Sequence, residues 1–450
     1  MSDSDGKSTS VVFLCGGGSD GRIGLCDSTL FEKAVHEVAT NGDDLIALCH
    51  DGCYNLSTGL LVNGCGFKAS HFCAGMKATY ALSCDGSLVY SWGEGSYGEL
   101  GLGLCKTRVQ EPAPVKHKSS FNSISCGEHH CVVLDITGNA YSWGQNFDRQ
   151  LGLYSNDSSK FKSPNYMVEE VMFVPSLLPF SLRYPVKKVS CGARFTVAIG
   201  MNGDLWSWGA GECGQLGTGI CKKKEAPSKV LIYAPLSSIH EDSDVIVMNG
   251  IEEKNIVKVA DVACGDSHVL AVGNDGSTYV WGLNNRGQLG VGDTDSRSFP
   301  SLIPSFTCSK VYASGLSSAG ISAEGDLYTW GSGSKFRLMH QTEQGDDRLG
   351  DNAHKLTPTF VDALYGNIVK SFAFSQNGSA ALVITRLYEV ITCSTNVLSY
   401  QSSPFLLKIQ NSSSCLFMAT HHIVLIISTP RFFFMLHNYL LTHAAISYHF

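Results

Sequence analysis

Along most of the chain, apolar runs of a few residues alternate with polar turns. Tyr80-Ala-Leu82 leads into Asp85-Gly86, and Cys131-Val-Val-Leu134 into Thr137-Gly138. Phe195-Thr-Val-Ala-Ile199 leads into Asn202-Gly203, and Val269-Leu-Ala-Val272 into Asp275-Gly276. Short apolar runs cut by Asp-Gly, Asn-Gly and Gly-rich turns predict short antiparallel strands joined by hairpins.

A longer period lies over this alternation. Tyr90-Ser-Trp92-Gly93 returns as Tyr141-Ser-Trp143-Gly144, Trp206-Ser-Trp208-Gly209, Tyr279-Val-Trp281-Gly282 and Tyr328-Thr-Trp330-Gly331. Shortly after come Gly98-Glu-Leu-Gly101, Arg149-Gln-Leu-Gly152, Gly214-Gln-Leu-Gly217, Gly287-Gln-Leu-Gly290 and Asp347-Arg-Leu-Gly350. Before each stands a small pair and then an apolar run: Ala74-Gly75, Cys126-Gly127, Cys191-Gly192, Cys264-Gly265 and Ser314-Gly315. Residues 39–52 keep the apolar run and its Asp-Gly turn without a Trp-Gly. Residues 374–383 carry a first half whose second half is absent downstream. Phe13-Leu-Cys15-Gly16 and Gly21-Arg-Ile-Gly24 supply the missing half from the other end of the chain, with Cys15 in the Trp slot.

A unit of about 50 residues cannot bury both faces of a four-stranded sheet by itself. Seven such sheets set around an axis bury one another and protect their edges. The expected fold is all-β: a seven-bladed propeller whose last blade is completed by the N-terminal strand. The expected division is a short N-terminus (1–10), the propeller (11–385), and a divergent apolar tail (386–450) without stable order. The tail is broken by Pro430 and Arg431, so it holds no uninterrupted run of the ~20 apolar residues that a membrane helix needs.

The ordered set Cys-Gly-x-x-His, apolar run, Asp-Gly, Tyr-x-Trp-Gly and Gly-x-Leu-Gly resembles the regulator-of-chromosome-condensation repeat family, over about residues 11 to 385. Neither the Trp-Asp dipeptide nor the period of other propeller repeats is present.

The repeat also disposes of two chemical readings. Cys126-Gly-Glu-His129-His130-Cys131 crowds thiols and imidazoles as a metal or nucleophile site would. Yet the slot of Cys126 holds Ala74, Cys191, Cys264 or Ser314 in other copies, and that of Cys131 holds Thr79, Thr196, Val269 or Ala319. Such a slot selects for a small buried residue, not for a thiolate. Gly16-x-Gly18-x-x-Gly21 looks like a dinucleotide fingerprint, but the same frame recurs at Gly93, Gly95 and Gly98 and at Gly209, Gly211 and Gly214. A turn repeats in every blade; a cofactor loop does not. No metal and no cofactor is expected.

The resemblance implies that the Cys-Gly-x-x-His loops lie near the central channel on one face. In the founding member of the family, acids and histidines there engage the small GTPase Ran and promote nucleotide release. The matching positions here are Glu128, His129 and His130, together with Asp266 and His268; Arg194 occupies another of these loops. A histidine at the consensus slot more often bonds the turn above it, which leaves Glu128 and Asp266 as the better contact candidates. The remaining loops lack an acid-histidine pair. That favours a protein-binding regulatory propeller without catalytic residues over a guanine nucleotide exchange factor. Trp92, Trp143, Trp208, Trp281 and Trp330, with Gly93, Gly144, Gly209, Gly282 and Gly331, belong to the scaffold. Only Trp206 falls outside the Trp-Gly slot, which argues against the light-sensing branch of the family and its extra tryptophans.

Individuality is expected in the insertions: 153–188, the acidic 237–255, and 332–346 with Lys335, Arg337 and His340. Lys and Arg total 33 against 40 Asp and Glu, a net charge of −7, and the N-terminus is not basic. A surface built on phosphate neutralisation would be basic, so no nucleic-acid partner is expected. With 17 cysteines and no visible export signal, the expected setting is reducing, in the cytoplasm or nucleus, as a monomer.

Overall fold

The described strands of residues 1–387 assemble into seven antiparallel sheets in chain order, with one exception that closes the ring. The computed structural model describes residues 68–103, 108–153, 170–234, 256–333, 337–340, 354–366 and 368–374. It also describes the backbone of strands at 10–15, 24–25, 35–41, 44–49, 52–55, 381–386, 409–411, 414–419 and 422–424.

Blade 1 is the three-stranded sheet Val35–Asn41, Asp44–Cys49 and Gly52–Asn55. Blade 2 runs Ala69–Ala74, Ala78–Ser83, Val89–Glu94 and Arg108–Val115. Blade 3 runs Phe121–Cys126, His130–Asp135, Ala140–Gln145 and Val171–Leu177. Blade 4 runs Val186–Cys191, Phe195–Gly200, Leu205–Gly209 and Lys224–Val230. Blade 5 runs Val259–Cys264, His268–Gly273, Ser277–Gly282 and Arg297–Thr307. Blade 6 runs Lys310–Ser314, Ser317–Ile321, Leu327–Gly331 and Lys355–Phe360. Blade 7 joins Ile368–Phe374 and Ala381–Arg386 to the N-terminal strands Ser10–Cys15 and Gly24–Leu25. Val12 pairs with Ile384 in that sheet, and its first strand lies against the first strand of blade 1. The expected clasp is therefore present, and the ring closes.

Burial follows position in the blade. The second strands are covered on both faces by neighbouring blades, so every residue of His130–Asp135 and Phe195–Gly200 is buried. First strands alternate, as in Val186–Cys191, because their start opens to the channel. The apolar core is a set of wedges, each shared by two blades; one joins Phe195, Val197 and Leu216 to Val262, Val269 and Trp281.

Four of the seams are pinned by a tryptophan. The indole N–H of Trp143 donates to the Glu99 carbonyl (2.6 Å), Trp208 to Gln150 (2.9 Å), Trp281 to Gln215 (2.9 Å) and Trp330 to Gln288 (3.0 Å). In every case the acceptor lies in the preceding blade. The last Gly of Gly-x-Leu-Gly then faces that indole at left-handed φ; a Cβ on Gly152 (φ 64°) would stand 2.6 Å from Trp208 Nε1. The Gly of Trp-Gly crosses over the loop before the second strand, and a Cβ on Gly144 would meet the His129 carbonyl at 2.3 Å. Both glycines are dictated by close approach.

Blade 6 departs from the expected register twice. In blades 2, 3 and 4 the middle residue of Tyr-x-Trp is a serine that marks the turn: Ser91, Ser142 and Ser207 donate to the carbonyls of Leu100, Leu151 and Leu216. In blade 6, Thr329 Oγ1 donates to the Leu338 carbonyl (2.6 Å), so Leu338 and Met339 stand at the Leu-Gly positions of this slot. Asp347-Arg-Leu-Gly350, expected as that turn, lies outside the described residues. Met339 takes the final Gly position at φ 65°. A non-glycine is tolerated because blade 7 has Cys15 where blades 2 to 6 place Trp, so no indole competes; Met339 packs instead with Val361, Phe372 and Phe374. Likewise Ala313 pairs with Ser318, so Ala313-Ser314 occupies the place of Cys126-Gly127, and Ser318, not Ala319, matches Cys131.

The excursion at 153–188 is also reassigned in part. Val171–Leu177 is the outer strand of blade 3, followed by the single helical turn Pro179–Arg183. Residues 154–169 and 237–255 lie outside the described residues. A second compact unit, Tyr388–Phe450, contains the three-stranded sheet Ile409–Asn411, Ser414–Ala419 and His422–Val424.

Candidate functional site

The loops between first and second strands converge on one mouth of the channel. Their second residues are tied in a belt of backbone bonds from blade to blade: Met76 N–H donates to Glu128 (3.0 Å), Glu128 to Ala193 (3.0 Å), Ala193 to Asp266 (3.2 Å) and Asp266 to Gly315 (3.0 Å). The belt satisfies donors that a free loop would leave to water. It also fixes which side chains surround the mouth, a cavity of about 430 Å³ lined by Met76, Glu128, Ala193, Asp266 and the thiol-bearing ends of the first strands.

Glu128 and Asp266 are thus brought together, with Ala193 between them. Asp266 presents surface to solvent but stands down in the mouth, with protein on its other sides. That desolvation pushes its carboxyl up from the ordinary range, the charge of Glu128 pushes it further, and the Arg337 guanidinium pulls it back. Arg337, from the Gly-x-Leu-Gly turn of blade 6, is buried and donates to Ser317 Oγ (3.0 Å).

His130 and His268 are not at this surface. Both are completely buried. His130 Nε2 lies 3.0 Å from Thr196 Oγ1, which donates to the Gln150 carbonyl at 2.9 Å. His268 Nε2 lies 2.9 Å from Ser318 Oγ, which donates to the Gln288 carbonyl at 2.7 Å. With each hydroxyl proton committed, each imidazole carries its proton on Nε2 and is neutral. Burial holds both rings down at about 3. Their partner is the next blade rather than the turn above, and as contact residues they are withdrawn.

His129 remains half-buried near the surface, with Nδ1 2.9 Å from Glu99 Oε1. Glu99 stands where the neighbouring blades carry Gln150, Gln215 and Gln288, and like them it caps its turn, accepting from the Tyr97 N–H (2.6 Å). Its second oxygen is what reaches His129. Arg194 is exposed and paired with Asp148 (3.0 Å) across the seam between blades 3 and 4.

Residues that sequence reasoning passed over complete the face. Tyr97 packs edge-on against His129 (5.0 Å between centroids) and Phe147 (5.9 Å). Tyr97 and Phe147 are 37% and 43% exposed and Met76 is 55% exposed, large apolar groups beside the acidic mouth. Tyr97 and Phe147 sit in the variable positions of the repeated turns, so the signal was an aromatic where the copies in blades 4 and 5 have none.

The cysteines behave as buried small residues. Burial pushes the thiols of Cys131 and Cys264 up to about 12, and those of Cys73, Cys126 and Cys191 upward as well. A thiol so displaced is a poor nucleophile. Among the described residues no group of three or more His, Cys, Asp or Glu is arranged to hold a metal ion, and no helix is long and apolar enough to cross a membrane.

A family model of the RCC1-like domain matches residues 11–393. The chain is similar to the ultraviolet-B receptor UVR8 of Arabidopsis thaliana, 27% identical over 356 residues, 78% of this chain and 66% of the receptor. It is also similar to human protein RCC2, 29% identical over 291 residues, 60% of this chain and 51% of RCC2. The chain therefore spans about half to two thirds of the length of these relatives. Among solved structures, Prp20p of Saccharomyces cerevisiae superposes with a TM-score of 0.61 at 18% identity, covering 84% of this chain and 92% of that one. Human WBSCR16 superposes with a TM-score of 0.63 at 16% identity, covering 84% and 100%. At such identities the structural likeness is one of fold.

Proposed function

The chain belongs to the RCC1-like domain family, and we propose that it is a protein-binding regulatory propeller acting through the belted face. The observation that carries this reading is the continuous surface from the Glu128–Asp266 mouth across His129 to exposed Tyr97 and Phe147. It combines exposed aromatic anchors with a fixed pair of acids, the composition expected of a contact surface. No nucleophile or acid–base pair is assigned to it, so the function is recognition rather than bond chemistry. The same reading places a monomeric propeller in the cytoplasm or nucleus, with a protein as its partner.

A second reading, nucleotide exchange on a small GTPase, is favoured by the two carboxylates at the mouth and by the fold likeness to Prp20p, which is described with its binding to Gsp1p and histones. An exchange factor remodels the phosphate-binding loops of its partner by contact, so such carboxylates suffice.

One pair of experiments separates the two. Proximity labelling in cells compares the full chain with Glu128→Lys/Asp266→Asn and Tyr97→Ala/Phe147→Ala variants. A defined partner set lost in both, but kept in a control changed at exposed Lys118 (Lys118→Gln), between the last strand of blade 2 and the first of blade 3, supports recognition through this face. Release of a fluorescent guanine nucleotide from Ran and other small GTPases is then followed with the same proteins. Stimulated release that Glu128→Lys/Asp266→Asn abolishes makes the protein an exchange factor.

A further inference from the structure

The opposite mouth of the channel has a different chemistry. There the first strands begin, and the channel opens as a funnel of about 1350 Å³. Its lining includes Lys187 and Lys188 of blade 4, Lys310 of blade 6 and Lys370 of blade 7. The acids in the same lining are Asp261 and Glu324. Asp261 is occupied by Lys188, with which it forms an ion pair.

Three ammonium groups, against the one remaining acid Glu324, line the opening. Lys187, Lys310 and Lys370 are all exposed. Lys310 Nζ donates to the backbone carbonyl of Lys370 (3.4 Å), which draws a second cation beside the Lys370 stem. Among the described residues the side chains of Lys187 and Lys370 have no hydrogen-bond or ion-pair partner. A chain with a net charge of −7 has concentrated cations at one end of its axis. Bringing like charges together opposes folding unless an anion is shared between them.

We propose that this funnel binds a compact polyphosphate, held by Lys187, Lys310 and Lys370. The arrangement selects the ligand class. Lysine presents a rotatable point charge that suits phosphate oxygens without demanding a planar partner. The three lysines come from blades 4, 6 and 7, standing around an axis rather than along one side. An anion of high charge density on that axis meets all three at once, whereas one inorganic phosphate meets fewer and an extended acidic peptide follows one wall. The site is at the other end of the channel from the belted face and is independent of the proposed protein contact.

Isothermal titration of the full chain with inositol hexakisphosphate as probe tests this. The expected result is saturable single-site binding at about 0.15 M salt, weakening as salt is raised. Lys187→Gln/Lys310→Gln/Lys370→Gln should weaken it at least about tenfold, and each single change less, in keeping with loss of surface charge contacts. Lys222→Gln/Lys223→Gln, exposed on the belted face, should leave it unchanged, and indole fluorescence confirms that every variant is folded. Inorganic phosphate should bind far more weakly. No saturable binding, equal binding by the folded triple variant, or tighter binding of a Glu-rich peptide than of the polyphosphate would each overturn the proposal.

Discussion

His130 Nε2 lies 3.0 Å from Thr196 Oγ1, across the seam between blades 3 and 4, and His268 repeats the relationship with Ser318 between blades 5 and 6. In both seams the hydroxyl passes a bond to a Gln carbonyl that also receives an indole N–H. Between blades 4 and 5 the same two slots hold Phe195 and Val269, packed in one apolar wedge. A seam is therefore polar or apolar as a unit, and the consensus histidine belongs to the polar kind.

The polar seams should make stability depend on pH. Each Nδ1 is buried without a partner, so protonation would place an unbonded donor and a charge in the core. The folded-state pKa, about 3, lies below the unfolded value near 6.5. The unfolded chain thus binds more protons in that interval. Stability contributed by the neutral rings is complete above about pH 6.5 and is lost as pH falls, by about 1.4 kcal/mol per pH unit per histidine between those limits. Urea denaturation at pH 7 and pH 5 measures the slope, which should shrink in a His130→Gln/His268→Gln protein. An unchanged slope would contradict the burial of these rings.

A seam should be convertible. His130→Phe alone removes the donor to Thr196 Oγ1 and sets an aromatic edge against that oxygen, and should cost about 2–4 kcal/mol. Adding Thr196→Val reproduces the Phe195–Val269 arrangement and should recover at least about 1 kcal/mol of it, a coupling visible in a double-mutant cycle. Additive losses would mean that the two side chains do not act together.

Gly152→Ala tests the closeness of the blades. Left-handed backbone costs an L-residue about 1–2 kcal/mol, and the new methyl would stand 2.6 Å from the Trp208 indole nitrogen. A loss of at least about 2 kcal/mol is expected, with indole fluorescence shifted in the native state. The same replacement at Met339 meets no tryptophan from blade 7 and costs only the lost side-chain packing.

The Asp266 carboxyl should titrate under the influence of the charges around it. Asp266 is held up first by its surroundings and then by Glu128, while Arg337 opposes the rise. A carboxyl raised in the folded state favours folding at acidic pH and opposes it once ionised. Glu128→Gln should move the Asp266 midpoint down, and Arg337→Gln should move it up, followed by the carboxyl carbon resonance of selectively labelled protein. A midpoint indifferent to both changes would separate the three groups.

Much of this was legible beforehand, and the misses are instructive. Tyr-x-Trp-Gly and the apolar runs announced the blades because strand alternation and tight turns are local patterns. Cys15-Gly16 at one end and residues 374–383 at the other announced the clasp because half a repeat cannot fold alone. Asp347-Arg-Leu-Gly350 matches the motif by letter but lies outside the described residues. The turn itself is placed by the bond from Thr329 to Leu338, a contact that no spacing rule contains.

The chain by itself determined the repeating strands, the ring and its closure, since period-two alternation and Gly turns act over a few residues. Only the tertiary structure decided which slot each side chain fills. Glycine or Met339 depends on whether the next blade brings an indole, and histidine or Phe195 on whether it brings a hydroxyl. Glu128 and Asp266, far apart in sequence, become neighbours only because backbone bonds run from blade to blade around the channel.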